Sequence, residues 1–238
     1  MNGLRGAAGS EVGRRYRANF DVAHLDLEPL LAVVADGMGD SEGSALAGRA
    51  TVDTFVERIR AARGDIGPKT IRDAVEAAQD QVIDLGRGDV GLAGCTLTAL
   101  LAGADGLWLA QLGDSRVYRF RDDLLELLTV DHTMAWLGVA HGLYAYDSPQ
   151  AKAARYHLTR YVGHAMRPEP DVLSIVPAPG DVYLLCSDGI AEQVPYQRIR
   201  EILRLHIEPA AMVERLLGAA DVAGGQDNAT AVVVTVAF

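Results

Sequence analysis

Six consecutive apolar residues, Leu30 to Ala35, lead directly into Asp36, which is followed by Gly37. A short apolar run bounded by glycine is typical of a strand that is buried on both faces. A carboxylate at the tip of such a strand costs free energy unless a cation or hydrogen bonds offset its desolvation. The fold therefore has to bury this strand and supply a partner for the Asp36 carboxylate.

The same arrangement recurs along the chain. Asp188 lies at the end of a second apolar run, and Asp114 lies just after a third, from which Gly113 separates it. Asp227 and Asp21 each precede a strand-like stretch. Each case alone is explained by an ordinary turn, because Asp and Gly are common turn residues. Carboxylates at several strand ends can instead converge at one rim of a sheet, where Mg²⁺ or Mn²⁺ would find oxygen ligands. The pattern alone leaves both interpretations open.

Composition excludes several classes of protein. The chain has 238 residues, 49% of them apolar, and its formal charge is −10, which disfavours broad binding to nucleic acid or anionic membranes. Its two cysteines, Cys95 and Cys186, lie in apolar runs and indicate buried thiols rather than a disulfide framework. We find neither a signal peptide nor an apolar run long enough to span a membrane, so we expect a cytoplasmic protein.

The element order predicts an α+β fold in a single domain, residues 1–238. After the first strand the pattern predicts helices at 44–62 and 69–86, then several short strands between 96 and 130. Two strands between 171 and 188, a second pair of helices and a final β-prone segment follow. Because this is not a regular βαβ alternation, it favours antiparallel sheets with paired helices outside them.

Taken together, these segments resemble the metal-dependent protein phosphatases of type 2C, the PPM family. The matching motifs follow the family's order along nearly the whole chain: EVGRRYRANFD, VVADGMG, the central block from GCTLTALL through GDSR to DHT, LTRYVG, PGDVYLLCSDGI and GGQDNATAVVV. The resemblance implies a four-layer αββα sandwich, in which two antiparallel β-sheets are flanked by helix pairs.

The resemblance also implies the activity. Family members are Mn²⁺- or Mg²⁺-dependent serine/threonine phosphatases, in which a hydroxide bridging two metals attacks the phosphomonoester without a phosphoenzyme. It implies a monomer whose phosphoserine and phosphothreonine protein substrates are made by a partner kinase. It implies two ions per chain and a third, looser one. Asp36 would contact both of the first two ions, Asp21 and the Gly37 carbonyl would hold one of them, and Asp188 and Asp227 would hold the other. Asp114 would hold the third ion.

Two positions depart from the family pattern. Tyr16 stands where many members have an arginine that grips the substrate phosphate, so flanking Arg15 or Arg17 is the candidate phosphate contact, unless both are solvated. Phe20 replaces a polar residue that would orient metal-bound water. These departures leave open a catalytically weak or inactive phosphoprotein-binding regulatory relative, and a phosphatase of anti-sigma-antagonist type.

The polar segment at about 131–170 resembles the mobile flap beside the active site of bacterial members. His132 and His141 are proton donors by residue type, although a loop histidine is more often solvated. Four tyrosines of this segment either contact a peptide substrate or pack onto their own sheet: Tyr144, Tyr146, Tyr156 and Tyr161.

Overall fold

The computed structural model describes residues 3–62, 66–88, 90 and 92–237. Within these residues there are ten strands: β1 (Leu4–Glu11), β2 (Val22–Leu27), β3 (Leu30–Ala35), β4 (Leu97–Gly103), β5 (Gly106–Leu112), β6 (Arg116–Arg121), β7 (Leu124–Leu127), β8 (Asp171–Ile175), β9 (Val182–Cys186) and β10 (Ala229–Val236). The described helices are α1 (Glu42–Ala61), α2 (Pro68–Leu85), α3 (Met134–Ala140), α4 (Pro149–Ala154), α5 (Asp188–Ala191), α6 (Tyr196–Leu203) and α7 (Pro209–Val222).

In the described part of the chain the strands form two antiparallel sheets of five strands each. One sheet has the order β1-β10-β9-β6-β7, and the other has the order β2-β3-β4-β5-β8. Helices α1 and α2 pack on the outer face of the second sheet, and α6 and α7 pack on that of the first. A third apolar cluster lies between the sheets. The predicted αββα sandwich is therefore confirmed.

Strand β3 shows why its sequence is continuously apolar. Leu31, Val33 and Ala35 face the helix pair α1 and α2, whereas the alternate residues of the strand lie in the cluster between the sheets. All six residues of the strand are buried. Successive side chains of a strand point to opposite faces, so a strand covered on both sides needs apolar residues at every position.

The helices that flank this sheet are those that the sequence predicted, within a few residues of the predicted bounds. The side chain of Ser41 caps α1 by accepting a hydrogen bond from the Ser44 amide at 3.2 Å, and Pro68 occupies the first turn of α2. None of the helices in the described residues is long and apolar enough to cross a membrane.

Two elements were not predicted. Strand β1 pairs with β10 along its whole length, although its sequence contains Gly6 and Gly9. A Cβ atom at Gly9 would lie 2.6 Å from a Val213 methyl carbon of α7, so close helix packing explains this glycine. The short helix α5 starts at Asp188, where the sequence analysis had placed only the end of a strand.

The prediction of buried, unpaired thiols is confirmed. Cys95 and Cys186 are free and fully buried, and burial raises the pKa of each thiol to about 12. The flap-like segment contains the short helices α3 and α4 and otherwise irregular backbone. Tyr146 and Tyr156 of this segment are largely exposed.

Candidate active site

Ends of strands from both sheets surround one cavity of about 330 Å³. Asp36 directly follows β3, Asp188 lies just beyond β9, Asp114 lies just beyond β5, and Asp227 lies just before β10. All four carboxylates line the cavity and are half-buried. The structure therefore brings together acidic residues that are separated by up to 191 positions in the sequence (227 − 36 = 191).

The backbone around Asp36 is held firmly. Its amide donates a 2.9 Å hydrogen bond to the Thr96 hydroxyl, and its carbonyl accepts a 2.8 Å bond from the Thr96 amide. The Thr96 hydroxyl also lies 2.7 Å from that of Ser115. At Gly37 an added Cβ would lie 2.7 Å from the Ser44 carbonyl oxygen, so only glycine fits there.

Asp21 lies behind the cavity and is buried. The Ser187 hydroxyl donates a 2.7 Å hydrogen bond to the Asp21 carboxylate, and the same hydroxyl accepts a 3.0 Å bond from the Thr230 amide. Burial is the largest influence on Asp21 and raises its pKa to about 6, with the charge of Asp227 adding to the effect. Ser187 thus fixes the carboxylate between the two sheets.

The carboxylates of the cavity oppose each other's ionisation. Burial, followed by the charges of Asp21, Asp188, Asp114 and Asp227, holds the pKa of Asp36 well above its ordinary value. Burial and the neighbouring carboxylates likewise hold the pKa of Asp188 well above its ordinary value. Because the strongest charge effects on Asp36 and Asp188 come from other acids, the protein itself does not neutralise this cluster.

Asp114 and Asp227 lie nearer to arginines. Burial raises the pKa of Asp114 to about 7, Asp131 adds to the rise, and Arg116 opposes it. Burial also raises the pKa of Asp227, while the Asn228 amide and the charge of Arg15 act in the opposite direction. Arginines therefore offset part of the effect of burial at Asp114 and Asp227, whereas no arginine is among the main charge effects on Asp36 or Asp188.

The donor set fits hard divalent cations. Within the described ranges no three His, Cys, Asp or Glu side chains form a group close enough to hold an ion as they stand. Mg²⁺ and Mn²⁺ retain several water molecules in protein sites, so a few carboxylates around an open cavity are enough to hold them. The ligands on offer are oxygens, which suits these ions better than zinc.

Arg15 and Arg17 differ in their relation to the cavity. Both follow Gly13 in irregular backbone rather than on a strand, so the alternation of side chains along a strand, which would turn them away from Tyr16, does not apply. The charge of Arg15 lowers the pKa of Asp227, whereas Arg17 is not among the main charge effects on any acid of the cavity. Of the two arginines, Arg15 is therefore the one whose charge acts on an acid of the cavity.

Sequence reasoning missed the role of His132, which is neither solvated nor free to donate a proton. The ring is buried, its Nδ1 accepts a 3.1 Å hydrogen bond from the Gly113 amide, and its Nε2 lies 3.0 Å from Asp171. Arg160 binds the same carboxylate at 2.7 Å. Burial lowers the pKa of His132, which keeps the ring neutral. Gly113 and His132 are 19 residues apart, and nothing in the sequence pattern indicated this contact.

Comparison with known proteins agrees with this geometry. Residues 6–219 match the model of the family described as Protein phosphatase 2C. The serine/threonine protein phosphatase PstP of Mycobacterium tuberculosis is 32% identical over 98% of this chain, which spans about half (45%) of that relative. Protein phosphatase PhpP of Streptococcus pneumoniae is 26% identical, with 95% of each chain covered.

Solved structures give the same answer. The PPM Ser-Thr phosphatase MsPP of Mycobacterium smegmatis, solved with cacodylate, superposes with a TM-score of 0.87 at 30% identity, covering 99% of this chain and 100% of that one. The catalytic domain of PstP, solved with two manganese ions, has a TM-score of 0.86 at 30% identity, with 99% of each chain covered. The chain belongs to the protein phosphatase 2C family.

Proposed function

We propose that this protein is a Mn²⁺- or Mg²⁺-dependent serine/threonine protein phosphatase. The observation that carries the proposal is the cavity at the strand ends, where recessed carboxylates from both sheets face each other without neutralisation. Such a cluster is unfavourable unless it binds cations. The two manganese ions in the PstP catalytic domain support the same chemistry here.

The proposed ligands are those that the resemblance to the family implies, and the shared cavity of four of these acids supports the assignment. Asp36 would contact two ions, the Gly37 carbonyl and Asp21 one of them, and Asp188 and Asp227 the other. Asp114, at the arginine side of the cavity, would hold a third, looser ion. Bound cations of this kind lower the pKa of water and neutralise charge on a phosphoryl group, so no nucleophilic side chain and no phosphoenzyme is required.

The chain's own residues supply orientation and charge. Thr96 and Ser187 hold Asp36 and Asp21 through the hydrogen bonds described above. Arg15 is the side chain we assign to contact the phosphate, since its charge acts on Asp227, one acid of the cavity. The flap segment at 131–170 places Tyr156 and Leu158 at the cavity wall, where they can contact a peptide.

The non-catalytic alternative loses support because the acidic positions of the family pattern are all present and share one cavity, with Asp21 directly behind it. A purely phosphoprotein-binding relative has no need of a full set of cation ligands. We further propose a single domain acting as a monomer in the cytoplasm on phosphoproteins made by a partner kinase.

Phosphate release from a phosphothreonine peptide tests the function. We expect release that requires Mn²⁺ and disappears in Asp36→Asn but persists in Asp221→Asn, a matched control at an exposed carboxylate paired with Arg14. Phosphate release that continues in a chelator, or survives in Asp36→Asn, would contradict the proposal. So would the absence of release from protein that demonstrably binds Mn²⁺.

A further inference from the structure

The two positions that depart from the family pattern are in contact with each other. The rings of Tyr16 and Phe20 lie edge to face, with centroids 5.9 Å apart and planes at 78°. Edge-to-face packing is a favourable geometry for an aromatic pair. Both residues line the carboxylate cavity. The family pattern would have an arginine and a polar residue here, so the two changes form one coupled replacement.

Tyr16 is brought to the cavity by a turn fixed to the chain around Asp227. The Tyr16 amide donates a 3.1 Å hydrogen bond to the Gly13 carbonyl, and the Arg14 amide donates a 2.7 Å bond to the Gly225 carbonyl. An added Cβ at Gly13 would lie 2.2 Å from the Asp227 carbonyl oxygen, so the turn packs directly against a proposed cation ligand.

The Tyr16 hydroxyl is available as a hydrogen-bond donor. Within the described part of the chain it has no assigned hydrogen-bond partner, and the ring is half-buried at the cavity wall. Burial, together with the charges of Asp227, Asp188 and Asp36, raises the pKa of the phenol, and Arg15 only partly opposes this. The group is therefore a neutral donor close to the carboxylates at neutral pH.

Phe20 limits the freedom of the Tyr16 ring. Its side chain is 9% exposed, and its amide donates a 2.9 Å hydrogen bond to the Asn228 side chain. Asn228 in turn donates to the Ala18 carbonyl at 3.2 Å. The ring against which Tyr16 packs is thus anchored at the base of the cavity.

Resting on the proposed phosphatase function, we propose that the Tyr16 hydroxyl donates a hydrogen bond to a phosphoryl oxygen of the substrate, and that Phe20 positions the Tyr16 ring for this contact. The site then recognises phosphate with a neutral donor at the position where its relatives use a guanidinium. Arg15 would contribute positive charge, and the Tyr16 hydroxyl at the cavity wall would contribute a directional hydrogen bond.

Tyr16→Phe tests the contact because it removes one oxygen atom and leaves the ring. In Mn²⁺-loaded protein we expect kcat/KM for a phosphothreonine peptide to fall about tenfold to a hundredfold, the range for a hydrogen bond to a charged group. We expect inhibition by inorganic phosphate to weaken in parallel and Mn²⁺ affinity to stay unchanged. Tyr196→Phe, a phenol on α6 that does not line the cavity, is the matched control. A kcat/KM within twofold of the parent would overturn the proposal.

A double-mutant cycle tests Phe20. We expect Phe20→Leu to lower kcat/KM when Tyr16 is present and to change it little in the Tyr16→Phe background, because a positioning residue acts only through the hydroxyl it positions. Equal losses in both backgrounds would reduce Phe20 to a packing role. Tyr16→Arg exchanges the neutral donor for a guanidinium, and we expect its KM to depend more steeply on salt, since a guanidinium attracts phosphate at longer range.

Binding of inorganic phosphate to Mn²⁺-loaded protein separates this inference from the activity itself. If the parent protein released no phosphate from peptides, the phosphatase proposal would fail, but calorimetry with inorganic phosphate would still compare the parent with Tyr16→Phe. Weaker binding by the variant supports the Tyr16 contact. Equal binding refutes it, whatever the turnover shows.

Discussion

The acids of the cavity and the acid at the start of β9 respond to burial in opposite ways. Asp36, at the end of β3, has a raised pKa because burial is reinforced by neighbouring carboxylates. Asp181 is completely buried, and burial alone would raise its pKa. Hydrogen bonds from Arg121, from the Ala178 amide and from the Tyr183 hydroxyl outweigh burial and lower the pKa instead.

Asp181 and the acids of the cavity differ in the source of the positive charge that balances them. Arg121 contacts both carboxylate oxygens of Asp181 at 2.6 Å, a bidentate arrangement that completes the site within the chain. Among the described residues, no arginine is a main charge effect on Asp36 or Asp188, which fits the proposal that a cation completes this cluster. A buried acid satisfied by the chain stabilises the fold, whereas an unsatisfied group at a shared cavity indicates function.

The largest expected effect is the loss of activity in Asp36→Asn. Because Asp36 lies at the centre of the charge cluster, we expect kcat to fall about a thousandfold or more, on the order of removing a principal source of transition-state stabilisation. Phosphate release with saturating Mn²⁺ measures it. The matching change at the satisfied acid, Asp181→Asn, should leave kcat within a few-fold in whatever fraction remains folded. Comparable losses in the two variants would erase the distinction.

Arg121→Ala converts the satisfied acid into an unsatisfied one. The Asp181 carboxylate would stay buried without its cation, and we expect a loss of about 3 kcal/mol in the free energy of unfolding. Urea denaturation followed by circular dichroism gives the value. The double variant Arg121→Ala, Asp181→Asn removes the stranded charge and should recover about 1 kcal/mol or more. A single variant as stable as the parent would show that the ion pair contributes nothing.

Stability should depend on pH with opposite signs for the two kinds of acid. In cation-free protein Asp21 and Asp114 have pKa values raised to about 6 and about 7, so the folded state binds more protons than the unfolded chain. Stability therefore falls as pH rises between about 4 and 7. The lowered pKa of Asp181 acts the other way: its contribution is present above the unfolded pKa and is lost as pH falls through the folded value.

Mn²⁺ should remove the first of these slopes. At a free concentration a hundred times the dissociation constant we expect about 2.7 kcal/mol of stabilisation. Urea midpoints measured from pH 5 to 7.5, with chelator and with Mn²⁺, give both the pH dependence of stability and the stabilisation by Mn²⁺. A cation-free protein whose stability rises steadily across this range would mean that the cavity acids are already satisfied, and the comparison would no longer hold.

The sequence predicted the unsatisfied acids more readily than the satisfied ones. Asp36 stands out because both faces of β3 are covered, which makes the strand continuously apolar up to the carboxylate. No comparable sequence pattern singles out Asp181. Its partner Arg121 is 60 residues away, and the pairing depends on the neighbouring strands β6 and β9. Sequence pattern reveals which residues occupy strand ends, but not which charges the fold will pair.

The turn at Gly13 illustrates the same limit at the site. Read as a strand, Arg15 and Arg17 point away from Tyr16, but the backbone turns here because the Tyr16 amide bonds to the Gly13 carbonyl. Strand β1 escaped prediction for a related reason. Gly6 and Gly9 lower its strand propensity, yet they are required by close contacts with Leu25 and α7.

The smallest effect is expected for an ion pair that lies in water. Arg14 binds Asp221 at 2.6 Å, with 65% and 50% of the two side chains exposed. Solvent screens the pair, so Arg14→Ala should cost about 0.5 kcal/mol or less by urea denaturation. The turn should survive, because the Arg14 amide rather than the side chain bonds to Gly225, and phosphate release should be unchanged.

This variant separates burial from charge pairing in the comparison. Arg121 and Arg14 each bind one carboxylate at close range. Asp181 is fully buried and bound through both oxygens, whereas Arg14 binds one oxygen of an exposed Asp221. Suppose that Arg14→Ala lowered the free energy of unfolding as much as Arg121→Ala. Pairing alone would then set the contribution of an ion pair, and half-buried, unpaired carboxylates around a cavity would not by themselves indicate a cation site. If the two losses differ as expected, exclusion of water is what makes an unpaired carboxylate costly. The same exclusion then explains why the acids around Asp36 require an external cation.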